Sequence, residues 1–162
     1  MKKTLCGLFL ATTILNALAL TERDASNVVK KYSEAVACQL EDRSEFQKHQ
    51  YKAVMVDSGD KELGGYGATF VVFWEGDFGC MGGNGTIVPN FTVVSQMSGQ
   101  SLIVDKDYVF PSLQLVSLTS FTGKNGLLFI KGVTYGPNDQ QGRPSKAVSY
   151  TLKYVDGKFL KQ

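Results

Sequence analysis

The residues best suited to covalent or metal chemistry in this chain are three cysteines and a single histidine, His49. A zinc site built from Cys and His ligands would need all four of these residues, and no C-x-x-C pair is present among them. The motifs G-x-S-x-G and H-E-x-x-H are absent from the sequence. His49 lies in a polar segment, which makes it a poor candidate for a catalytic triad. We therefore predict no catalytic residue, no metal site and no cofactor.

Carboxylates are the remaining candidates for acid and base chemistry, namely Glu75, Asp77, Asp105 and Asp107. Glycoside cleavage uses two carboxyl groups that flank one cleft at a separation of less than about 10 Å. An envelope hydrolase would therefore need Asp77 and a second carboxylate in the same cleft. The run Asp105-Lys106-Asp107 is more typical of a solvated strand or turn.

The most unusual local composition is the stretch 76–86, which contains five glycines and Cys80. A phosphate-binding loop would lead into a helix and end in Gly-Lys-Ser/Thr, whereas this stretch leads into a predicted strand. Two interpretations stay open: a long turn held by Cys80 with Trp74 in the core, or a loop that contacts a partner protein. In the second interpretation the contact residues are Trp74, Asp77, Phe78 and Met81.

A second long loop covers residues 136–145, between two predicted strands. Loops longer than a hairpin requires are often functional. Tyr135, Asp139 and Arg143 would offer an aromatic ring, a hydrogen-bond acceptor and a bidentate cation to a partner. The alternative is a solvated loop in which Asp139 caps a turn and pairs with Arg143.

The same loop carries a resemblance to known proteins. The residues 132–139, followed by Pro144-Ser145, resemble a motif of small bacterial secreted proteins and lipoproteins of unknown function. In that motif a Tyr and an Asp precede Cys-Cys-Pro-Ser, whereas Gly142 and Arg143 occupy the positions of the Cys pair here. The resemblance implies an exported envelope protein, and it carries over no catalytic residue.

The first nineteen residues are predicted to be a secretory signal peptide. Lys2 and Lys3 precede an apolar run over residues 5–18, and Ala17-Leu18-Ala19 fits a cleavage site before Leu20. The alternative is a membrane anchor, but the run is shorter than the roughly 20 residues that a spanning helix needs. We therefore expect one periplasmic or secreted domain over residues 20–162, without stable membrane insertion after cleavage.

Removal of the signal peptide changes the charge balance of the chain. It takes away two of the 17 basic residues, which leaves 15 basic against 15 acidic residues and a net charge of zero. A neutral domain without a basic run has no electrostatic attraction to a phosphate backbone. The sequence therefore predicts no nucleic-acid partner.

Export also determines the chemistry of the cysteines. Cys6 leaves with the signal peptide, so Cys38 and Cys80 remain in an oxidising compartment. A bridge between them closes a loop of about 43 residues, which corresponds to roughly 4 kcal/mol of stabilisation. The alternative is a reactive thiol, but no C-x-x-C motif accompanies either residue. We predict a structural disulfide.

Residues 21–46 have the periodicity of an amphipathic helix. Their apolar positions recur every three or four residues, at Val28, Tyr32, Ala35, Val36 and Leu40. Thr21 and Asp24 have the spacing of a capping box. Cys38 would then lie beside the apolar stripe of this helix, within reach of a neighbouring strand.

The rest of the chain reads as strands at hairpin spacing. They are predicted at 51–56, 66–75, 86–96, 101–110, 113–121, 127–135 and 148–154, with a short return strand at 159–160. The apolar residues of 69–74 occupy both faces, which is typical of a central strand. We predict an α+β domain with the N-terminal helix packed on an antiparallel sheet of about six to seven strands. A β-sandwich with a helical N-terminal arm is the alternative.

A hydrophobic content of 43% and a charged content of 20% exclude a disordered chain. Because no catalytic residues are predicted, the sequence favours a non-enzymatic periplasmic or secreted binding protein. It would act by contact with another protein of the envelope, as an inhibitor or an immunity-type protein does. The alternatives are the carboxylate hydrolase and a small-ligand carrier with a pocket under the helix.

Overall fold

The computed structural model describes residues 20–41, 50–60, 62–63, 65–82, 87–97, 101–108 and 110–162. The predicted signal peptide, His49 and the predicted turn at Ser98-Gly99 lie outside these residues. The described chain contains one helix and nine strands. They are α1 (Glu22–Val36), β1 (Ala37–Leu40), β2 (Lys52–Asp57), β3 (Thr69–Phe78), β4 (Val88–Gln96), β5 (Leu102–Val104), β6 (Ser117–Lys124), β7 (Leu127–Thr134), β8 (Lys146–Val155) and β9 (Lys158–Lys161).

Helix α1 begins with a capping box. The Thr21 hydroxyl accepts a hydrogen bond from the Asp24 amide, and the Asp24 carboxylate accepts one from the Thr21 amide. The helix ends at Val36, ten residues earlier than its periodicity predicts, because Ala37 takes an extended conformation and opens β1. Cys38 therefore lies on a strand, and its predicted place on the helix is wrong.

The first sheet has five strands, and β3 is its centre. Along one side of β3, its first half pairs with β2 and its last residues pair with β1. The other side pairs with β4 over the register Thr69↔Ser95 to Gly76↔Val88. The three-residue strand β5 pairs with the last residues of β4. All strand pairs of this sheet are antiparallel.

The second sheet is a four-stranded meander in the order β6-β7-β8-β9. Its first hairpin turns at Asn125-Gly126, with φ angles of 52° and 73°. Its last hairpin turns at Asp156-Gly157, with φ angles of 48° and 76°. Two consecutive residues with positive φ form the turn that matches strand twist, so these dipeptides determine both hairpins. The predicted hairpins in this half of the chain are confirmed.

The layers stack as helix, first sheet and second sheet. Helix α1 covers one face of the first sheet through Ala25 and Val29, both fully buried. The other face of that sheet packs on the second sheet through Val71 and Phe73. The fold is α+β and mostly β, but the predicted single sheet is wrong, because the strands divide into two stacked sheets. The structure combines the predicted packing of the helix on a sheet with the two stacked sheets of the alternative, the β-sandwich.

Gly132 on β7 tests how tightly the second sheet is packed. A Cβ atom at this position would lie 2.1 Å from the Ser117 carbonyl oxygen and 2.4 Å from a Leu115 methyl group. Because the first neighbour is backbone, we expect Gly132→Ala to lower the free energy of unfolding by about 1–3 kcal/mol. Urea unfolding measures the loss. Alanine at the exposed neighbour Lys131 is the control, and equal stability of the two variants would contradict the close packing.

Candidate functional site

The glycine-rich loop after β3 is held by a buried carboxylate. Asp77 is only 4% exposed, and its two oxygens accept hydrogen bonds from the Met81 amide at 3.0 Å and the Gly82 amide at 3.1 Å. Residues 83–86 lie outside the described residues. The Asp77 side chain thus points into its own loop. It does not lie on the protein surface, where a residue that contacts a partner would have to be.

A disulfide joins this loop to the strand that follows the helix. Cys38 on β1 and Cys80 are bonded, with their Cα atoms 5.0 Å apart, which confirms the predicted bridge. Close by, the Gly79 amide donates to the Val36 carbonyl at the end of α1. The loop is therefore tied to both β1 and α1.

The apolar residues near this loop divide into one core residue and two surface residues. Trp74 is 1% exposed and donates its indole N–H to the Thr92 hydroxyl at 2.8 Å, so its place is in the core. Phe78 is 49% exposed and packs edge-on against Trp74. Met81 is 82% exposed. Of the predicted contact residues before β4, Phe78 and Met81 therefore present apolar surface to solvent.

The second loop, between β7 and β8, is also organised by a carboxylate. Asp139 accepts hydrogen bonds from the Gly136 amide, the Ser145 amide and the Ser145 hydroxyl, at 2.7, 2.7 and 2.5 Å. The Tyr135 hydroxyl accepts a hydrogen bond from the Gly142 amide across the same loop. The capping role predicted for Asp139 is present. Arg143 is exposed and is not among the Asp139 contacts in the described chain, so the predicted ion pair is wrong.

These hydrogen bonds affect the ionisation of Asp139. Donation from the Gly136 amide, followed by donation from the Ser145 hydroxyl and amide, lowers the pKa of the Asp139 carboxyl below its ordinary value. The loop is thus ordered most strongly while Asp139 carries its negative charge.

A cleft of about 380 Å³ opens beside β4. Five of its eleven lining residues are aromatic: Tyr32, Trp74, Phe78, Phe91 and Tyr108. Polar groups are contributed by Asn90, Thr92, Asp105 and Lys106. The cleft includes part of the glycine-rich loop region but no residue of the second loop. The structure therefore does not bring the two predicted contact loops together at this site.

The cleft follows a strand edge that the described chain leaves unpaired. Strand β5 pairs with Val94–Gln96 only, and the last hydrogen bond of this ladder runs from the Asp105 amide to the Val93 carbonyl at 2.9 Å. Backbone groups alternate in direction along a strand, and Val93 faces the edge. The N–H and C=O of Phe91, two residues earlier, therefore also point outward into the cleft.

Sequence reasoning missed this edge, although one signal for it was present. Pro89 lies within β4, and proline occurs in strands almost only where its missing N–H faces an unpaired edge. By the same alternation, Pro89 faces the side of β4 that carries the cleft. The predicted partner strand, 101–110, is shortened to three residues because the chain bends away at residues 106–107.

The geometry gives no support to the predicted alternatives. Of the four candidate carboxylates only Asp105 lines the cleft, where one of its oxygens accepts a hydrogen bond from the Asp107 amide. Asp77 is engaged by its own loop. The space under α1 that a carried ligand would occupy is filled by the buried side chains of Phe70 and Val72.

The chain matches no protein-family model, and comparison with curated proteins and with solved structures found no match. Among the described residues, no helix is both long and apolar enough to cross a membrane. In the same part of the chain, no group of three or more His, Cys, Asp or Glu residues could hold a metal ion.

The contribution of the disulfide can be measured with the double variant Cys38→Ser, Cys80→Ser. The bridge spans 42 residues, and its removal should lower the free energy of unfolding by about 4 kcal/mol, because the unfolded chain gains conformational entropy. Urea unfolding of the oxidised wild type and of the variant measures the difference. Reduced wild-type protein should match the variant, and equal stability of all three samples would contradict a structural bridge.

The contribution of Ser145 to the lowered pKa of Asp139 can be measured with the variant Ser145→Ala. Ser145→Ala removes one donor to the carboxylate, so we expect the pKa of Asp139 to rise toward its ordinary value. The lowered pKa stabilises the fold above the pKa of the unfolded chain, and this contribution is lost as the pH falls through the folded value. An NMR titration of the Asp139 carboxyl carbon reports the change. Ser149→Ala on β8 is the control, and a pKa unchanged by Ser145→Ala would refute the assignment.

Proposed function

We propose that this chain is an exported, non-enzymatic binding domain that captures an extended segment of another envelope protein at the open edge of β4. The proposal rests on Phe91, which lines the aromatic cleft and whose backbone N–H and C=O point to the open edge by the alternation that the Asp105–Val93 hydrogen bond establishes. A peptide that adds to a sheet edge gains its affinity from main-chain hydrogen bonds and its specificity from side-chain pockets. The cleft beside β4 offers both.

The two sides of the first sheet show why this position suits an added strand. On the side of β3 away from β4, β2 and β1 pair in tandem and together cover most of its length. On the open side of β4, β5 covers only Val94–Gln96. A partner segment of three or four residues beside Pro89 and Phe91 would complete the sheet in line with β5.

Side chains around the edge provide the apolar contacts that such a segment needs. Even-numbered residues of β4 face the helix layer, where Tyr32 and Phe78 border the cleft. Odd-numbered residues face the second sheet, where Tyr108 borders it. Side chains of an added strand alternate in the same way, so the cleft would receive them on both faces of the sheet.

Exposed apolar surface extends from the cleft to the adjoining ends of β3 and β4. Phe78 is 49% exposed and Val88, the first residue of β4, is 41% exposed. Val88 pairs with Gly76 on β3, two residues before Phe78. Aromatic anchors in a partly formed pocket contribute much of the energy of protein interfaces.

Export is supported by independent features. The Cys38–Cys80 disulfide fits a protein of an oxidising compartment. The basic and apolar N-terminal residues 1–19 and the resemblance of 132–145 to envelope proteins point the same way. These features fit an inhibitor or an immunity-type protein. Such a domain would block or protect an envelope enzyme by binding one of its extended segments beside β4.

The test is selection of binders from a library of short random peptides, followed by hydrogen exchange. Bound peptide should slow exchange of the Phe91 amide, because an added strand accepts a hydrogen bond from it. The Thr92 amide, which faces β3, is the internal reference and should change little. Selected peptides that leave Phe91 exchange unchanged, or a failure to select any peptide, would overturn the proposal.

A matched pair of variants locates the binding surface. Phe78 is 49% exposed beside the cleft, and Leu160 is 48% exposed on β9 of the other sheet. We expect Phe78→Ser to weaken binding of a selected peptide about tenfold or more, which is the effect of losing an interface anchor. Leu160→Ser should leave the dissociation constant unchanged. Calorimetry measures both, and an equal loss in the two variants would argue against the cleft.

A further inference from the structure

The solvent-facing side of the second sheet carries a second, separate surface. Along β7 and β8 the side chains of Leu128, Ile130 and Leu152 are fully buried against the first sheet. Side chains alternate along a strand, so their neighbours in the sequence point away from the core. We call this outward side the lysine face.

The charged residues of the lysine face are all cations. Exposed lysines occupy one position on each of its four strands, namely Lys124, Lys131, Lys153 and Lys158. In the described sheet, no Asp or Glu shares this side. The acidic residues nearest in sequence, Asp139 and Asp156, lie in the connecting turns.

Apolar side chains lie between these lysines. The register joins Lys124 to Leu127, Leu127 to Lys153, and Lys153 to Leu160, so one row across the sheet alternates between lysine and leucine. Phe129, in the neighbouring row, is 37% exposed, and Leu160 is 48% exposed. Neighbouring strands are about 4.8 Å apart, so the two lysines of this row are about 10 Å apart.

The two halves of the chain, each of which forms one of the sheets, have net charges of opposite sign. Residues 117–162, which contain the second sheet, have seven basic and two acidic residues, a net charge of +5. Residues 20–116 have eight basic and thirteen acidic residues, a net charge of −5. A chain that is neutral over these residues therefore presents one strongly positive layer.

We propose that the lysine face docks this protein onto the surface of an anionic lipid bilayer. Lysine acts as a compact point charge, whereas bidentate recognition of one carboxylate or phosphate favours arginine. A face with lysines alone therefore fits a diffuse anionic surface. Lysine is also depleted from the cores of protein interfaces, which favours a membrane over an acidic protein.

The apolar residues of the face have a role in this docking. Phe129, Leu127 and Leu160 would enter the boundary between head groups and acyl chains, while the lysine stems lie along them and keep their ammonium groups at the phosphates. This is peripheral binding of a sheet face, without insertion of a helix. Helix α1 lies on the side of the first sheet that faces away from the second sheet. The part of the β4 cleft that α1 lines would therefore stay accessible while the lysine face is bound to a membrane.

Sedimentation with lipid vesicles tests the docking. The full domain should bind vesicles of phosphatidylcholine mixed with phosphatidylglycerol and should not bind phosphatidylcholine alone. Salt should release it, because screening shortens electrostatic attraction to a few ångströms at high ionic strength. Each lysine near an anionic surface contributes about a fivefold change in affinity, so Lys124→Gln with Lys153→Gln should weaken binding about 25-fold.

Lys30→Gln with Lys31→Gln is the matched control, because it makes the same change of charge on the exposed side of α1. The control should bind vesicles nearly as the wild type does, and near-ultraviolet circular dichroism should show that all variants are folded. An equal loss in both pairs, or no binding to anionic vesicles, would overturn the proposal. Self-association of the wild type that is lost in the variant Lys124→Gln with Lys153→Gln would also overturn the proposal. The lysine face would then be an interface between two copies of the chain.

Discussion

The apolar side chains of β3 alternate between two separate cores. Phe70 and Val72 pack under α1, whereas Val71 and Phe73 pack against the second sheet. One strand thus supplies hydrophobic surface to both interfaces of a three-layer structure. Because both faces of β3 are covered, its register determines where the helix and the second sheet can lie. A shift by one residue would exchange the two sets of side chains and break both cores.

The same strand explains where the sheet is closed and where it is open. β3 is ten residues long and is flanked on one side by two short strands, the shorter of which is tied to its end by the Cys38–Cys80 bridge. On its other side β4 is nearly as long, but β5 covers only three of its residues. The unpaired part of β4 is thus a consequence of unequal strand lengths, and it lies where aromatic residues of both layers meet.

Carboxylates in this protein organise loops. Asp77 binds two backbone amides of the glycine-rich loop, and Asp139 binds two amides and a hydroxyl in the loop between β7 and β8. Backbone amides are the donors that a loop cannot satisfy internally, so a single carboxylate replaces several missing ladder hydrogen bonds. Asp77, a candidate for acid–base chemistry in the sequence, therefore has a structural role in its own loop.

Local patterns in the sequence determined much of this structure. The double-sided apolar run of β3, the Asn125-Gly126 and Asp156-Gly157 turns and the pairing of two cysteines were predictable, because each depends on nearby residues or on simple counting. The end of the helix was not predictable, because Ala37 leaves it to pair with a distant strand. The division into two sheets, the open edge at Phe91 and the gathering of four lysines on one face depend on which strands become neighbours. Only the tertiary structure decides that, since strand pairing is settled by the burial of both faces of β3 rather than by any single segment.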